Sequence, residues 1–182
     1  MSILDGMYSG NIDAETLANA IRQAIDTARE QNPEVAKLLE LMGEGCSLAD
    51  LLDLGDQHKE ALFQLGCRLL TSGQSDQAAA IFTTLSLLDP LEARALYGLG
   101  VTEQCRGNLR AAAQLFIQFL ALDATNPDGY LRLGECLVAA KEIEEARAAL
   151  QTALKLAEHG YGEPGTDEEA RRLLEQIETL AS

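Results

Sequence analysis

The side chains best suited to chemistry are few. Four cysteines stand at Cys46, Cys67, Cys105 and Cys136, and two histidines at His58 and His159. Thiolate and imidazole ligate zinc and drive covalent catalysis, but either use needs several of them close together. The cysteine gaps of 21, 38 and 31 residues match no Cys-x-x-Cys pattern, and the two histidines have no metal-ligand spacing between them. No Gly-x-Ser-x-Gly, phosphate-binding loop, Gly-x-Gly-x-x-Gly or His-Glu-x-x-His occurs. Carboxylates are plentiful, and Glu142, Glu144 and Glu145 fall at the start of a helix, where they favour its dipole. The reading is a non-enzyme with no metal and no cofactor. Its cysteines are expected as free thiols acting as small buried hydrophobes in a reducing compartment.

Composition narrows the remaining classes. The 182 residues carry 29 acidic and 14 basic side chains, a formal net charge of −15. A phosphate backbone or an anionic membrane surface needs a basic partner, so nucleic acid and membrane are not expected. With 47% hydrophobic residues the chain is too apolar for an acidic disordered segment. Its apolar content is mostly Ala and Leu, strong helix formers, with only four prolines against them. The fold class expected is all-α. No stretch approaches the ~20 apolar residues of a membrane span. The first residues lack the basic and apolar regions of a secretory signal, so a cytoplasmic location is expected.

A 34-residue period organises the middle of the chain. Leu65-Gly66, Leu99-Gly100 and Leu133-Gly134 recur at that spacing, as do Ala78, Ala112 and Ala146. Gly73, Gly107 and Lys141 keep the same interval, followed by Phe82, Phe116 and Leu150. Leu62, Leu96 and Tyr130 precede each Leu-Gly pair, and Pro90 closes the first unit. This order of a large residue, Leu-Gly, Ala, an aromatic and Pro resembles the tetratricopeptide repeat. Repeats are assigned to 59–92, 93–126 and 127–160, each two antiparallel helices, A and B. Stacking them produces a superhelix with a concave face.

Helix A lines that face in such an architecture. The register puts Phe63, Cys67 and Leu70, then Tyr97, Val101 and Gln104, then Leu131, Glu135 and Val138 there. All but Gln104 and Glu135 are apolar or aromatic, counting Cys67. A contiguous apolar groove reads as a binding surface, unless flanking segments fill it. Tetratricopeptide domains that hold a chaperone's C-terminal carboxylate use a cationic clamp. Phe63, Cys67, Tyr97 and Val101 at the corresponding places cannot neutralise a carboxylate, so an extended peptide with spaced apolar side chains suits them better.

The flanks are helical too. Residues 1–58 form an N-terminal extension. From Asp13, the residues Leu17, Ile21, Ala24, Ile25 and Ala28 make one apolar helix face, which serves either dimerisation or packing back on the first repeat. Asn32-Pro33 breaks this helix and starts another near 34–42, ended by Gly43-Glu44-Gly45. Ser47 and Asp50 are placed to cap a short helix running through Leu54. Residues 161–182 comprise a loop and a C-terminal helix, with Thr166 and Glu169 spaced as a capping box. Ala170, Leu173, Leu174, Ile177 and Leu180 give that helix one apolar side, the form of a cap on the array. The formal charge divides as −8 over 1–58, −3 over 59–160 and −4 over 161–182, so the flanks carry most of the acid.

Three repeats, an amphipathic N-terminal extension and an acidic total resemble the class II chaperones of type III secretion systems. Gly45-Cys46-Ser47-Leu48-Ala49-Asp50-Leu51-Leu52 is similar to that family's Gly-Gly-Thr segment with trailing Leu. Leu62-Phe63-Gln64-Leu65 resembles its Leu-Tyr-x-Leu entry, and Gly134-Glu135-Cys136-Leu137 its Ala-Glu-Cys-Leu. Cys46 departs from the second Gly, and Leu70 stands where an aromatic is common. The resemblance implies a cytosolic bacterial chaperone that keeps hydrophobic translocator proteins soluble and secretion-competent. It implies a groove for an extended Pro-x-Leu-x-x-Pro segment, with Phe63, Tyr97, Val101 and Leu131 lining its pockets, and homodimerisation through the N-terminal helices. A generic tetratricopeptide scaffold in another bacterial assembly is the competing reading.

Overall fold

The 34-residue period resolves into helix pairs. The structure, a computed structural model, describes residues 19, 22, 23, 25–27, 29, 30 and 32–180. The described residues between 19 and 30 are helical. They are followed by α1 (Pro33–Gly43) and α2 (Leu48–Leu51). The repeats are α3 (Asp56–Thr71) with α4 (Ser75–Leu88), α5 (Ala93–Cys105) with α6 (Leu109–Leu122), and α7 (Pro127–Ala139) with α8 (Ile143–Glu158). The last helix is α9 (Thr166–Leu180), packed on α8 and α7. Among the described residues there is no strand and no helix long and apolar enough to cross a membrane.

Helix A approaches helix B closely because the residue after each repeat Leu is glycine. A Cβ on Gly66 would lie 2.6 Å from the Phe82 ring, and one on Gly98 of the next repeat would lie 2.6 Å from the same ring. Phe82 is fully buried, so one aromatic side chain joins two repeats through two missing methyl groups. Phe116 repeats the arrangement against Gly100, and Leu150 against Gly134. Thr102 is buried inside this packing and satisfies its hydroxyl by donating to the Gly98 carbonyl at 2.7 Å.

The A-to-B turns share one geometry. At the end of α3 the Gly73 N–H donates to the Leu70 carbonyl and the Gln74 N–H to the Leu69 carbonyl. This is a Schellman closure, and it needs a left-handed residue, supplied by Gly73 (φ 77°) and Gly107 (φ 79°). In the third repeat Lys141 takes that conformation (φ 64°), with the same two hydrogen bonds to Val138 and Leu137. The departure read in the sequence therefore changes the residue and not the turn.

Several boundaries differ from the sequence reading. Helix α3 begins at Asp56, ahead of the assigned repeat start. The reciprocal cap of Ser47 and Asp50 forms, but α2 ends at Leu51 because Asp53 turns left-handed (φ 54°) and the Leu54 N–H returns to the Ala49 carbonyl. The capping box expected of Thr166 and Glu169 is absent. Thr166 is the first residue of α9, and its hydroxyl serves Asp128 and the Glu163 carbonyl instead. Glu169 pairs with Arg172.

Candidate functional site

The A helices α3, α5 and α7 lie side by side, α3 against α5 and α5 against α7, and present their register positions to one inner face. Phe63, Cys67 and Leu70 of α3, Tyr97, Val101 and Gln104 of α5, and Glu135 and Val138 of α7 are all half-buried. They pack on the core at one side and retain area for a partner on the other. Leu131 does not. It is 7% exposed and belongs to a core cluster with Leu150 and Ala153 of α8 and Ala170, Leu173 and Ile177 of α9. The C-terminal helix has taken the surface that the repeat register assigned to Leu131, so this residue is corrected from groove lining to core.

Phe63 and Tyr97 converge on one cavity of about 180 Å³. Phe119 of α6 completes its aromatic side, and Arg94, Asn126, Asp128 and Glu163 form a polar rim. Tyr97 is held edge to face, 5.2 Å from Phe119 and 5.7 Å from Phe116, and Phe63 is tilted against Phe82 at 6.0 Å. Burial pushes the Tyr97 phenol above its ordinary pKa, and the Tyr97 hydroxyl accepts from the Arg132 Nε at 3.5 Å. The phenol is therefore a fixed neutral wall and not a base.

Charge in the groove is more than the single Glu135 that register had placed there. The Glu135 carboxylate accepts from Arg132 at 3.0 Å and from the Gln104 amide at 2.7 Å, which neutralises it within the wall. Arg94 lies 4.8 Å above the Phe63 ring while pairing with Glu60 at 2.6 Å and Glu92 at 2.8 Å. These hydrogen bonds, Glu92 first and then Glu60, raise the Arg94 pKa, so it is a permanent cation stacked on an aromatic face.

Sequence reasoning missed Arg94, Phe119, Asn126, Asp128 and Glu163. Phe119 had a readable signal, since it follows Phe116 by three residues on the same face of helix B. Glu163 had none, because only the fold brings the segment after α8 back to the start of α7.

The remaining candidates scatter. Cys67 lies in the groove, with its thiol pKa raised by burial. Cys46 is half-buried and Cys105 exposed, so Cys136 alone is the fully buried hydrophobe that the sequence reading expected of all four. No group of three His, Cys, Asp or Glu that could hold a metal stands together among the described residues. His58 is exposed on the first turn of α3, and His159 ends α8 with its Nδ1 2.6 Å from the Lys155 carbonyl oxygen. The segment Gly45–Leu52 borders a different cavity, about 410 Å³, in which Met42, Cys46 and Asp50 face Asp89, Pro90 and Leu91. Of the proposed dimer face, Leu17, Ile21, Ala24 and Ala28 lie outside the described residues. Ile25 is helical and half-buried.

With this geometry in view, the chain can be set beside known proteins. Tetratricopeptide repeat models match residues 63–103 and 106–159. Low calcium response locus protein H of Yersinia pestis is 28% identical over 131 residues, covering 72% of this chain and 77% of that protein. A chain in a type III secretion complex from Aeromonas hydrophila is similar at 30% identity and a TM-score of 0.70, covering 80% of this chain and 97% of that one. The type III secretion chaperone SycD of Yersinia enterocolitica, solved with a peptide of the translocator YopD, is similar at 25% identity and a TM-score of 0.64. That match covers 71% of this chain and 98% of SycD.

Proposed function

This chain belongs to the tetratricopeptide-repeat translocator chaperones of type III secretion systems, and from that premise we propose that it holds a hydrophobic translocator of its own system in the α3–α5–α7 groove. The single observation that carries the assignment to this groove is the convergence of Phe63, Tyr97 and Phe119 on one cavity. Three rings from three helices, Tyr97 set edge to face on Phe119 and Phe63 braced against Phe82, form a preorganised receptor for an apolar side chain. That the similar chaperone SycD was solved with a peptide of the translocator YopD supports a translocator segment as the ligand.

The mechanism is sequestration. An extended cargo segment lays its spaced apolar side chains into the groove, with Phe63, Tyr97, Val101 and Val138 as walls. Segments that would aggregate in water are shielded, and the acidic flanks keep the complex soluble. No bond is made or broken, so the chain acts as a stoichiometric chaperone in the bacterial cytoplasm and not as an enzyme. Release falls to the export apparatus.

Co-expression tests this. A translocator encoded beside this chain should be insoluble alone and soluble with it, co-purifying at fixed stoichiometry. Cargo that stays soluble and bound with Phe63→Ala and Tyr97→Ala combined would move the binding site elsewhere.

A further inference from the structure

The loop between α8 and α9 does more than connect them. It folds back over the start of α7, and three contacts hold it there. The Thr166 hydroxyl donates to Asp128 Oδ1 at 2.5 Å, and the Glu163 N–H donates to Asp128 Oδ2 at 3.2 Å. The Thr166 hydroxyl also lies 2.9 Å from the Glu163 carbonyl, which closes the loop on itself. Gly162 is pressed against Pro127 so tightly that a Cβ there would overlap the proline ring, and its φ of 82° lies in the region that favours glycine. Asp128 is thus a latch, with each carboxylate oxygen accepting one hydrogen bond from the loop.

The latch sets Glu163 into the lining of the aromatic cavity that Phe63 and Arg94 also line. Arg94 is already paired with Glu60 and Glu92, while no ion pair of Glu163 or Asp128 is found among the described residues. The uncompensated charge on the rim is therefore negative. We propose, building on the groove reading above, that loop 160–165 is a wall of the cargo pocket, held by Asp128, and that it favours a cargo segment with a lysine or arginine beside its apolar anchor. Asp128 is a positioning residue in this scheme, and Glu163 is the residue that discriminates. The C-terminal unit then both covers the last repeat and takes part in recognition.

The experiment uses the purified full chain and fluorescent ten-residue peptides. The reference peptide has a Pro-Ala-Leu-Ala-Ala-Pro centre, and variants carry one Lys or one Glu at each of the three Ala positions. At the best position the Lys peptide should bind about 3- to 10-fold more tightly than the Glu peptide, as a part-exposed pair allows. Glu163→Gln should bring that ratio to about 1–2, whatever it does to the reference affinity. Glu168→Gln, an exposed acid outside the pocket with the same charge change, should keep the ratio. Asp128→Ala should lose the ratio together with some reference affinity, whereas a loop that only caps the array would change the melting temperature and not the ratio. A ratio that survives Glu163→Gln, or no charge preference in a wild-type chain that binds the reference peptide, overturns this inference alone. If the wild-type chain binds none of the peptides, the groove reading falls and takes the inference with it.

Discussion

The Arg94 guanidinium stacks 4.8 Å above the Phe63 ring, and both line the same cavity. Phe63 therefore faces the cavity on one side and supports Arg94 on the other. Phe63→Ala should weaken binding of a translocator peptide by about 1–3 kcal/mol, the usual cost of truncating an aromatic anchor. It should also cost stability, through the cation–π contact with Arg94, worth about 0.5–1 kcal/mol, and through the lost packing of Phe63 on Phe82. Tyr97→Ala should weaken binding comparably and cost more stability, because Tyr97 also packs on Phe116 and Phe119. Calorimetric titration beside thermal melts separates the two quantities. Equal affinity in both variants and wild type would refute the pocket.

Phe82 is gripped between Gly66 and Gly98. Gly98→Ala should force the ring off its position and destabilise the array by about 1–3 kcal/mol, the range for overpacking a tight core. Phe82→Leu in the same chain should recover part of that loss, because the smaller side chain leaves room for the methyl group. Urea midpoints of the four proteins measure the coupling, and strictly additive effects would contradict the direct contact.

Lys141 occupies the left-handed turn that Gly73 and Gly107 occupy in the earlier repeats. A side chain there costs roughly 1–2 kcal/mol, offset in part by the greater freedom of glycine in the unfolded chain. Lys141→Gly should thus stabilise the protein by about 0.5–1 kcal/mol. Lys141→Ala, which keeps a Cβ, should not. Chemical denaturation of the three proteins decides the matter.

Burial pushes the Cys136 thiol up to about 12, while Cys105 is exposed. A native-state thiol titration at pH 8 should modify Cys105 rapidly and leave Cys136 untouched until the chain unfolds. The sign of the linkage follows from the raised value. The native state holds the Cys136 proton more tightly than the unfolded state does, so its contribution is fully present below the ordinary thiol pKa of about 9. That contribution falls away as pH rises from about 9 toward 12. Cys136→Ala should flatten this alkaline loss relative to wild type, whatever its effect at pH 7.

Much of the fold was legible because its contacts are local or periodic. Leu65-Gly66 and Phe82 announce their contact by recurring with Leu99-Gly100 and Phe116 one repeat later, so register alone pairs them. Ser47 and Asp50 announce a cap by a spacing of three. That Phe63 and Tyr97 share one face was readable for the same reason, since a helical position repeated at 34 returns to the same face of the stack. Thr166 and Glu169 show the limit of such reasoning. Their spacing is that of a capping box, in which the Thr hydroxyl accepts from a backbone N–H, but Thr166 stands inside the helix as its first residue, and its hydroxyl donates to Asp128, a carboxylate brought near by the fold.

The amino-acid sequence by itself determined the helix pairs, their order, and the face of each A helix that looks inward, because these depend on residue type and period. Tertiary structure alone decided what stands on that face. It buried Leu131 beneath α9, brought Gln104 of α5 onto Glu135 of α7, stacked Arg94 on Phe63, and latched Glu163 into the pocket wall through Asp128. Each of these joins residues from different helices, or from beyond the last repeat. Their distances follow from how the pairs stack and where the chain turns back, and no local pattern encodes that.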